Sequence, residues 1–445
     1  MSTTDTPAGA PADDWAARDA AVVWHGFTQM AAYPANAPVT VERAEGRELV
    51  GVDGRRYFDA ISSLWVTTLG HRVPELDAAV VDQLGRVAHT TLLGNGNRAA
   101  VEFAEDLAAV VPVDDPHVLF ASDGAVAVEQ AVKIAFQYWV NRGERRRTAF
   151  LALGDAYHGD TIGALSLGDS GFGTALFDPL RFPVVRTPGY ATPDWADKAV
   201  AAVEAHAGEL AAVVVEPLVQ GASGILVCEP EDLTRLGEAC RRAGTLLICD
   251  EVATGFGRTG RLFASEWAGP AFRPDLLCLG KGITGGYLPL SATVASGRVF
   301  SAFDGEDLGE RTFYHGHSYS GNAIACAVAR RHLQLIDEWD VLANVRAVGD
   351  RLGAQLDDRV AGRTGVASVR RRGLMAGVTL DPPAGAVRWG RRVCAGAVAR
   401  GVLLRPLGDV VVLMPPLTTT ADEIDRVVDV LVASIDEVAD QDGAR

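Results

Sequence analysis

Lysine is nearly absent from this chain. Of 41 basic residues only Lys133, Lys198 and Lys281 are lysines, and the rest are arginines. Guanidinium is always protonated and forms no Schiff base, so a lysine kept in such a background marks a place that needs a primary amine. Positive charge is scarce overall. A net charge of -16 and a pI near 5.0 exclude nucleic acid and anionic membrane as partners, because both require a basic face. No apolar run approaches the roughly 20 residues that span a bilayer. The first fourteen residues, Met1 to Asp14, have neither a basic start nor an apolar stretch. They are therefore expected to be a disordered tail and not a signal peptide. Cys228, Cys240, Cys249, Cys278, Cys326 and Cys394 are scattered, mostly in apolar segments, with no C-x-x-C pair. This predicts buried free thiols and a cytoplasmic protein. The nine histidines lack H-E-x-x-H spacing, and His315 with His317 is too little for a metal, so none is expected.

What is present is organised around Asp275–Pro289, where an apolar run of strand length delivers Lys281 into a glycine-rich bend. Lys281 is the candidate nucleophile, the plainer alternative being a surface lysine on a turn. Strand-like runs at Val118–Ala121, Ala149–Leu153, Ala211–Glu216, Leu246–Asp250 and Leu276–Leu279 alternate with helical patterns such as Ala125–Val140 and Glu231–Ala243. That alternation predicts an α/β fold with a mostly parallel sheet covered by helices. Upstream, Val39 to Asp59 reads as a hairpin turning at Asp53-Gly54. Downstream, helical patterns lead to strands near Leu374–Leu380 and Val410–Met414 and a last helix from about Thr420 to Val438, a second and smaller α/β domain. The expected division is a tail over 1–14, an N-terminal segment over 15–72 that joins the small domain, a large domain over 73–330, and the small domain over 331–445.

Several constellations carry chemistry. Ser122-Asp123-Gly124-Ala125-Val126 opens a helix after a strand, a place for phosphate, although any α/β turn can look like this. Asp250 ends one apolar strand and Lys281 follows the next. A carboxylate and an amine at neighbouring strand ends suit pyridoxal phosphate, unless they form an ordinary ion pair. Tyr157 follows another strand and either stacks on a planar cofactor or fills core. Arg405 follows an apolar run, where it meets a substrate carboxylate or pairs with Asp409. Gly255-Phe256-Gly257-Arg258-Thr259-Gly260 matches G-x-G-x-x-G, but no strand immediately precedes it and no helix follows, so a flexible loop carrying one arginine is expected instead of a dinucleotide site. Trp24-His25-Gly26-Phe27 reads as a hydrophobic clasp tying the N-terminus to the body.

Together these residues resemble the class III, fold-type I, pyridoxal-phosphate aminotransferases over almost the whole chain, and within them the diaminopelargonic acid aminotransferases of biotin synthesis. The resemblance rests on Trp24-His25, Phe27-Thr28, Ser62-Ser63-Leu64-Trp65, Ala127-Val128-Glu129, Phe136-Gln137-Tyr138-Trp139, Tyr157-His158-Gly159-Asp160-Thr161, Glu216-Pro217 with Gln220-Gly221, Asp250 through Gly260, Gly280-Lys281, His315-Gly316, Arg405-Pro406 and Met414-Pro415-Pro416. It implies a central, mostly parallel sheet with helices on both faces and a smaller α/β domain built from the C-terminal part and the N-terminal segment. It makes Lys281 the Schiff-base lysine and Asp250 the partner of the pyridine nitrogen, with Tyr157 by the ring. Gly124 and Ala125 would hold the phosphate, and His317 and Ser318 would reach it from a second subunit, so a homodimer with shared active sites is implied. Phe27, Leu64, Trp65, Tyr157, Gly316 and Arg405 would line the substrate site, Arg405 on the carboxylate of 8-amino-7-oxononanoate.

Departures refine the expectation. Ala125 replaces a common serine, and Ala253 and Ala222 stand where generic ω-transaminases often carry glutamine and glutamate. Phe27, Leu64 and Val412 stand where members that take their amino group from S-adenosylmethionine commonly have tyrosine, tryptophan and tyrosine. The donor lies between S-adenosylmethionine and L-lysine, and these positions favour lysine. The expected reaction converts 8-amino-7-oxononanoate to 7,8-diaminononanoate. Rival readings are another class III ω-amino acid transaminase or aminomutase, a nicotinamide oxidoreductase, and a non-catalytic binding protein.

Overall fold

The computed structural model describes residues 14–36, 38–169, 171 and 173–443. The expected tail lies outside the described residues except for Asp14, which caps the first helix by accepting from the Ala17 N–H at 2.9 Å. A seven-stranded sheet runs in the order His117–Ala121, Ser291–Ala295, Leu276–Leu279, Leu246–Asp250, Leu210–Val215, Ala149–Leu153, Val185–Thr187. Only Ser291–Ala295 is antiparallel to its neighbours. Because successive side chains of a strand alternate in direction, a strand buried on both faces must be apolar throughout. Leu247, Cys249, Leu277 and Leu279 join one apolar cluster, while Leu246, Ile248, Leu276 and Cys278 join the other. Both faces are thus covered, as the continuous apolar runs require.

The helix Gly124–Asn141 supplies the second cluster with Ala127, Val128, Ala131, Val132, Ala135, Tyr138 and Trp139, and the indole N–H of Trp139 donates to the Ala211 carbonyl at 2.8 Å. Val366–Arg372, Met375–Leu380, Val410–Leu413 and Arg405–Leu407 form a separate four-stranded antiparallel sheet. The last helix, Ala421–Gln441, starts at a capping box between Thr420 and Glu423 and buries Ile424, Val427, Val428, Leu431, Ile435 and Val438 at helical spacing. The N-terminal strands Glu48–Gly51 and Arg56–Asp59 make the hairpin, and Val402–Leu403 pairs in parallel with Arg56–Asp59. That pairing stitches the N-terminal segment to the C-terminal part of the chain. It supports the proposed grouping of 15–72 with 331–445.

The glycine loop from Gly255 to Gly260 is a correction. It is buried, not flexible: Arg258 is 1 % exposed and donates to the carbonyls of Pro415 and Thr67. The absence of flanking regular structure suggested mobility, whereas the arginine satisfies loop carbonyls that a mobile segment would leave to water.

Candidate active site

Parallel pairing of Leu246–Asp250 with Leu276–Leu279 sets Asp250 opposite Cys278. Lys281 therefore emerges three residues beyond Asp250's partner, at the carboxyl ends of neighbouring strands, where open α/β sheets bind ligands. The chain turns left-handed at Lys281 (φ 41°) and makes one 3-10 turn, Lys281–Thr284. A Cβ on Gly280 would lie 3.2 Å from Val252 Cγ1 and 3.4 Å from Gly124 Cα, so a bare backbone is what seats this bend against the start of the helix Gly124–Asn141. Lys281 Nζ lies 5.1 Å from the centroid of the Trp65 ring. Burial lowers the lysine's pKa from its ordinary value, against the opposing pull of Asp250 and Glu216. A lowered pKa leaves more of the amine neutral and nucleophilic.

Asp250 is buried, with Oδ1 accepting from the Val252 N–H at 3.0 Å and Oδ2 lying 2.8 Å from His158 Nδ1. Carboxylate oxygens accept, so Nδ1 carries the hydrogen. Glu216, just past the strand Leu210–Val215, accepts from the backbone N–H groups of Tyr157 at 3.0 Å and Gly221 at 3.1 Å. Burial raises its pKa to about 7. The Tyr157 hydroxyl donates to Asp160 at 2.9 Å, and burial raises the phenol above its usual range. Sequence reasoning had not assigned site roles to His158 and Glu216. The signal for both was present, one beside Tyr157 in a polar motif and the other closing a fully apolar strand.

Asp123 caps the helix Gly124–Asn141 by accepting from the Val126 N–H at 3.1 Å. The N–H groups of Gly124 and Ala125 precede the first intrahelical acceptor and remain as donors at the positive end of the helix. His317 Nε2 lies 2.9 Å from Ser122 Oγ of its own chain. Ser318 is exposed, its carbonyl 2.8 Å from His89 Nε2. Gly316 is exposed beside Leu93.

These groups fit pyridoxal phosphate. Backbone donors stand at a helix start, a buried carboxylate at one strand end and an amine beyond the next. A Cβ on Gly124 would lie 2.6 Å from Val252 Cγ1, so the cradle is built for glycine. His158 Nε2 is buried without a partner among the described residues.

Other expected residues stand differently. Arg405 is exposed, not buried, and among the described residues its guanidinium has no partner; Asp409 instead accepts from the Gly390 N–H at 3.0 Å. The edge position of Arg405–Leu407 in its sheet lets the side chain leave the core. Trp24 is 89 % and Phe27 64 % exposed, so the N-terminal cluster is no clasp on its own body. Within it His25 stacks on Tyr33, and both bond Asp19. Leu64 is exposed next to the buried Trp65.

A profile of the class-III aminotransferases matches residues 30–435. The adenosylmethionine-8-amino-7-oxononanoate aminotransferase of Nitratidesulfovibrio vulgaris is 44% identical over 92% of this chain and 79% of its own. The one of Aquifex aeolicus is 40% identical over 93% and 95%. The crystal structure of the Methanocaldococcus jannaschii enzyme of that name superposes with a TM-score of 0.91 at 35% identity, covering 94% of this chain and 98% of that one. A PLP-bound amine transaminase from an uncultivated Pseudomonas species superposes at 0.86 with 34% identity, covering 93% and 98%. With its sheet, its glycine cradle and its paired carboxylate and amine, this chain belongs to the class-III aminotransferases, enzymes that work with pyridoxal phosphate.

Proposed function

We propose that the protein transfers an amino group to 8-amino-7-oxononanoate, giving 7,8-diaminononanoate for biotin synthesis, with L-lysine favoured over S-adenosylmethionine as donor. One observation carries the substrate: relatives matching nearly the whole of this chain, at 44% and 40% identity, are each named for 8-amino-7-oxononanoate. Those names also give adenosylmethionine as donor for the relatives. Phe27, Leu64 and Val412 lack the hydroxyls and the indole that would meet a cationic sulfonium, which is the ground for lysine here.

Bound in the crevice, pyridoxal phosphate supplies an aldehyde that takes up and returns the amino group and a protonated ring that accepts electron density. Gly124 and Ala125 N–H groups would hold its phosphate, with His317 and Ser318 reaching it from a second subunit. Tyr157 would flank its ring. Asp250, held by His158 and the Val252 N–H, keeps a carboxylate where a ring nitrogen retains its proton. Lys281 Nζ takes up and gives back a proton at its own nitrogen, burial shifting it toward the neutral amine. Trp65 walls the amine, Phe27, Leu64 and Gly316 line the substrate path, and the exposed Arg405 binds the carboxylate of the oxononanoate.

The protein acts as a homodimer with shared active sites. Phe27, Val81, Leu84, Leu93, Val101, Tyr314 and Tyr319 are exposed apolar side chains that a second subunit would cover. All six cysteines are free and buried, which supports a reducing cytoplasm. Among the described residues no helix is long and apolar enough to cross a membrane.

The test is spectroscopic. L-lysine or S-adenosylmethionine is added separately to cofactor-loaded protein, followed by the oxononanoate. Loss of the visible cofactor band with lysine and its return with the oxononanoate is expected. Response to short ω-amines and none to the oxononanoate would instead make the protein another class III transaminase or an aminomutase.

A further inference from the structure

Four consecutive residues, the last of which sets its ring by the Lys281 amine, hold an unusual backbone. Ser62 (φ 50°), Ser63 (φ 61°, ψ -67°) and Trp65 (φ 67°) all lie at positive φ, and Leu64 between them sits at φ -150°, ψ 65°. None is a glycine. Ser63 has the torsions of the rare, strained form of γ-turn, in which a Cβ is disfavoured. Such strain persists only where surrounding contacts over-determine it, and it gathers at functional sites.

The contacts that impose it are on the page. Asp59 is fully buried, and its carboxylate accepts from the Ser63 N–H at 2.8 Å and the Ser63 hydroxyl at 3.0 Å. His71 Nε2 lies 2.9 Å from the same carboxylate and fixes it in turn. On the far side the Ser62 hydroxyl donates to the Met414 carbonyl at 2.7 Å, and Arg258 donates to the carbonyls of Thr67 and Pro415. The turn is therefore gripped at both ends. What it delivers is the Trp65 ring, 5.1 Å from Lys281 Nζ and against Gly221, where a Cβ would lie 3.2 Å from Trp65 Cζ3.

We propose that Asp59 is a positioning residue for substrate selection: by gripping Ser63 it holds the strained turn that keeps Trp65 over the Lys281 amine and Leu64 at the edge of the site. The inference rests on the proposed role of Lys281 and Trp65 in that site. Asp59 does not touch the reacting atoms. It sets the shape of the wall against which an extended keto substrate lies, so its loss loosens binding more than turnover.

The experiment compares Asp59→Ala, Ser63→Gly and the double variant. Glycine adopts the Ser63 torsions without strain, so Ser63→Gly should leave the Michaelis constant for the keto acceptor within about threefold of the parent. Asp59→Ala should raise that constant about tenfold with kcat changed far less, the loss of one charge-assisted grip. Because a strain-free turn has less need of the grip, the double variant should recover most of the loss. A crystal structure of Asp59→Ala should show Ser63 returned to negative φ and the indole displaced from Lys281 Nζ. Should Asp59→Ala fail to fold, Asp59→Asn, which keeps one oxygen for the Ser63 N–H, should show a smaller loss of the same kind. An unchanged Michaelis constant, equal losses with and without Ser63→Gly, or a retained positive φ would overturn the proposal. The visible cofactor band before substrate is added reports on Lys281 alone, so the catalytic reading can stand or fall separately.

Discussion

Oδ2 of Asp250 lies 2.8 Å from Nδ1 of His158, both side chains buried, with Oδ1 turned to the Val252 N–H. The carboxylate is thus held at both oxygens, and the imidazole that holds one of them comes from the loop carrying Tyr157. A histidine so placed aims the carboxylate proposed to hold the cofactor's ring nitrogen. His158→Ala should lower kcat about 10- to 100-fold, the worth of a hydrogen bond to a charged group, while cofactor stays bound. Cofactor content and turnover measured on the same sample check this, and loss of both together would mean that the histidine is needed for binding instead.

Lys281→Ala should abolish turnover, and Lys281→Arg should do no better. The arginine case is informative because this chain uses arginine almost everywhere else. If charge were what the position supplied, guanidinium would serve; if a primary amine is needed, it cannot. Borohydride treatment followed by peptide mass analysis should place the cofactor on Lys281 in the parent and on no residue in either variant. Substantial transamination by the alanine variant would remove Lys281 from the mechanism.

Much of this was legible in the sequence because the physics is local. The runs Ala149–Leu153, Leu246–Asp250 and Leu276–Leu279 are apolar at every position that must face either layer of helices, and their bounds coincide with the strands. Asp250 and Lys281 could be placed at strand ends on the same ground. The rest depends on partners far apart in sequence. The grip of Asp59 on Ser63 is short-range, but nothing in the residue types announces a positive φ at Ser62, Ser63 and Trp65. Arg258 looked like a loop arginine because its acceptors, Thr67 and Pro415, lie 191 and 157 residues away. Arg405 follows an apolar run, yet the run belongs to one sheet and the exposed arginine starts an edge strand of another, so neither its exposure nor its lack of pairing with Asp409 is legible locally.

His332 gives a pH signature. It is fully buried, with Nε2 2.6 Å from the Thr68 hydroxyl, and Cδ2 lies 3.0 Å from where a Gly285 Cβ would stand, behind the Lys281 turn. Burial, with the nearby Arg258 charge, lowers its pKa from 6.5 to about 3. Between those values the unfolded chain binds a proton that the native state refuses, so this residue makes stability fall as pH drops from 6.5 toward 3, by about 1.4 kcal/mol per pH unit. His332→Gln, neutral throughout and able to reach Thr68, should flatten that part of the acid-unfolding curve. Parallel curves for parent and variant would show that the acid sensitivity arises elsewhere.

Gly124 provides a test of the phosphate cradle that spares the reacting groups. A Cβ there would lie 2.6 Å from Val252 Cγ1 and 3.0 Å from Cγ2, so Gly124→Ala must push apart the helix start and the segment that follows Asp250. Both are proposed to hold the cofactor, one through backbone N–H groups and the other through the carboxylate that the Val252 N–H orients. Overpacking of this kind costs about 1 to 3 kcal/mol, which corresponds to a loss of about 5- to 150-fold in cofactor affinity if the strain is relieved when the cradle opens. Trimming the opposing side chain in Gly124→Ala/Val252→Ala removes both clashing methyls and should restore most of the affinity. Titration of apoprotein with pyridoxal phosphate, followed by its visible band, separates the cases. Recovery in the double variant ties the loss to this contact, whereas equal loss in single and double variants would mean that the helix start itself cannot carry a side chain.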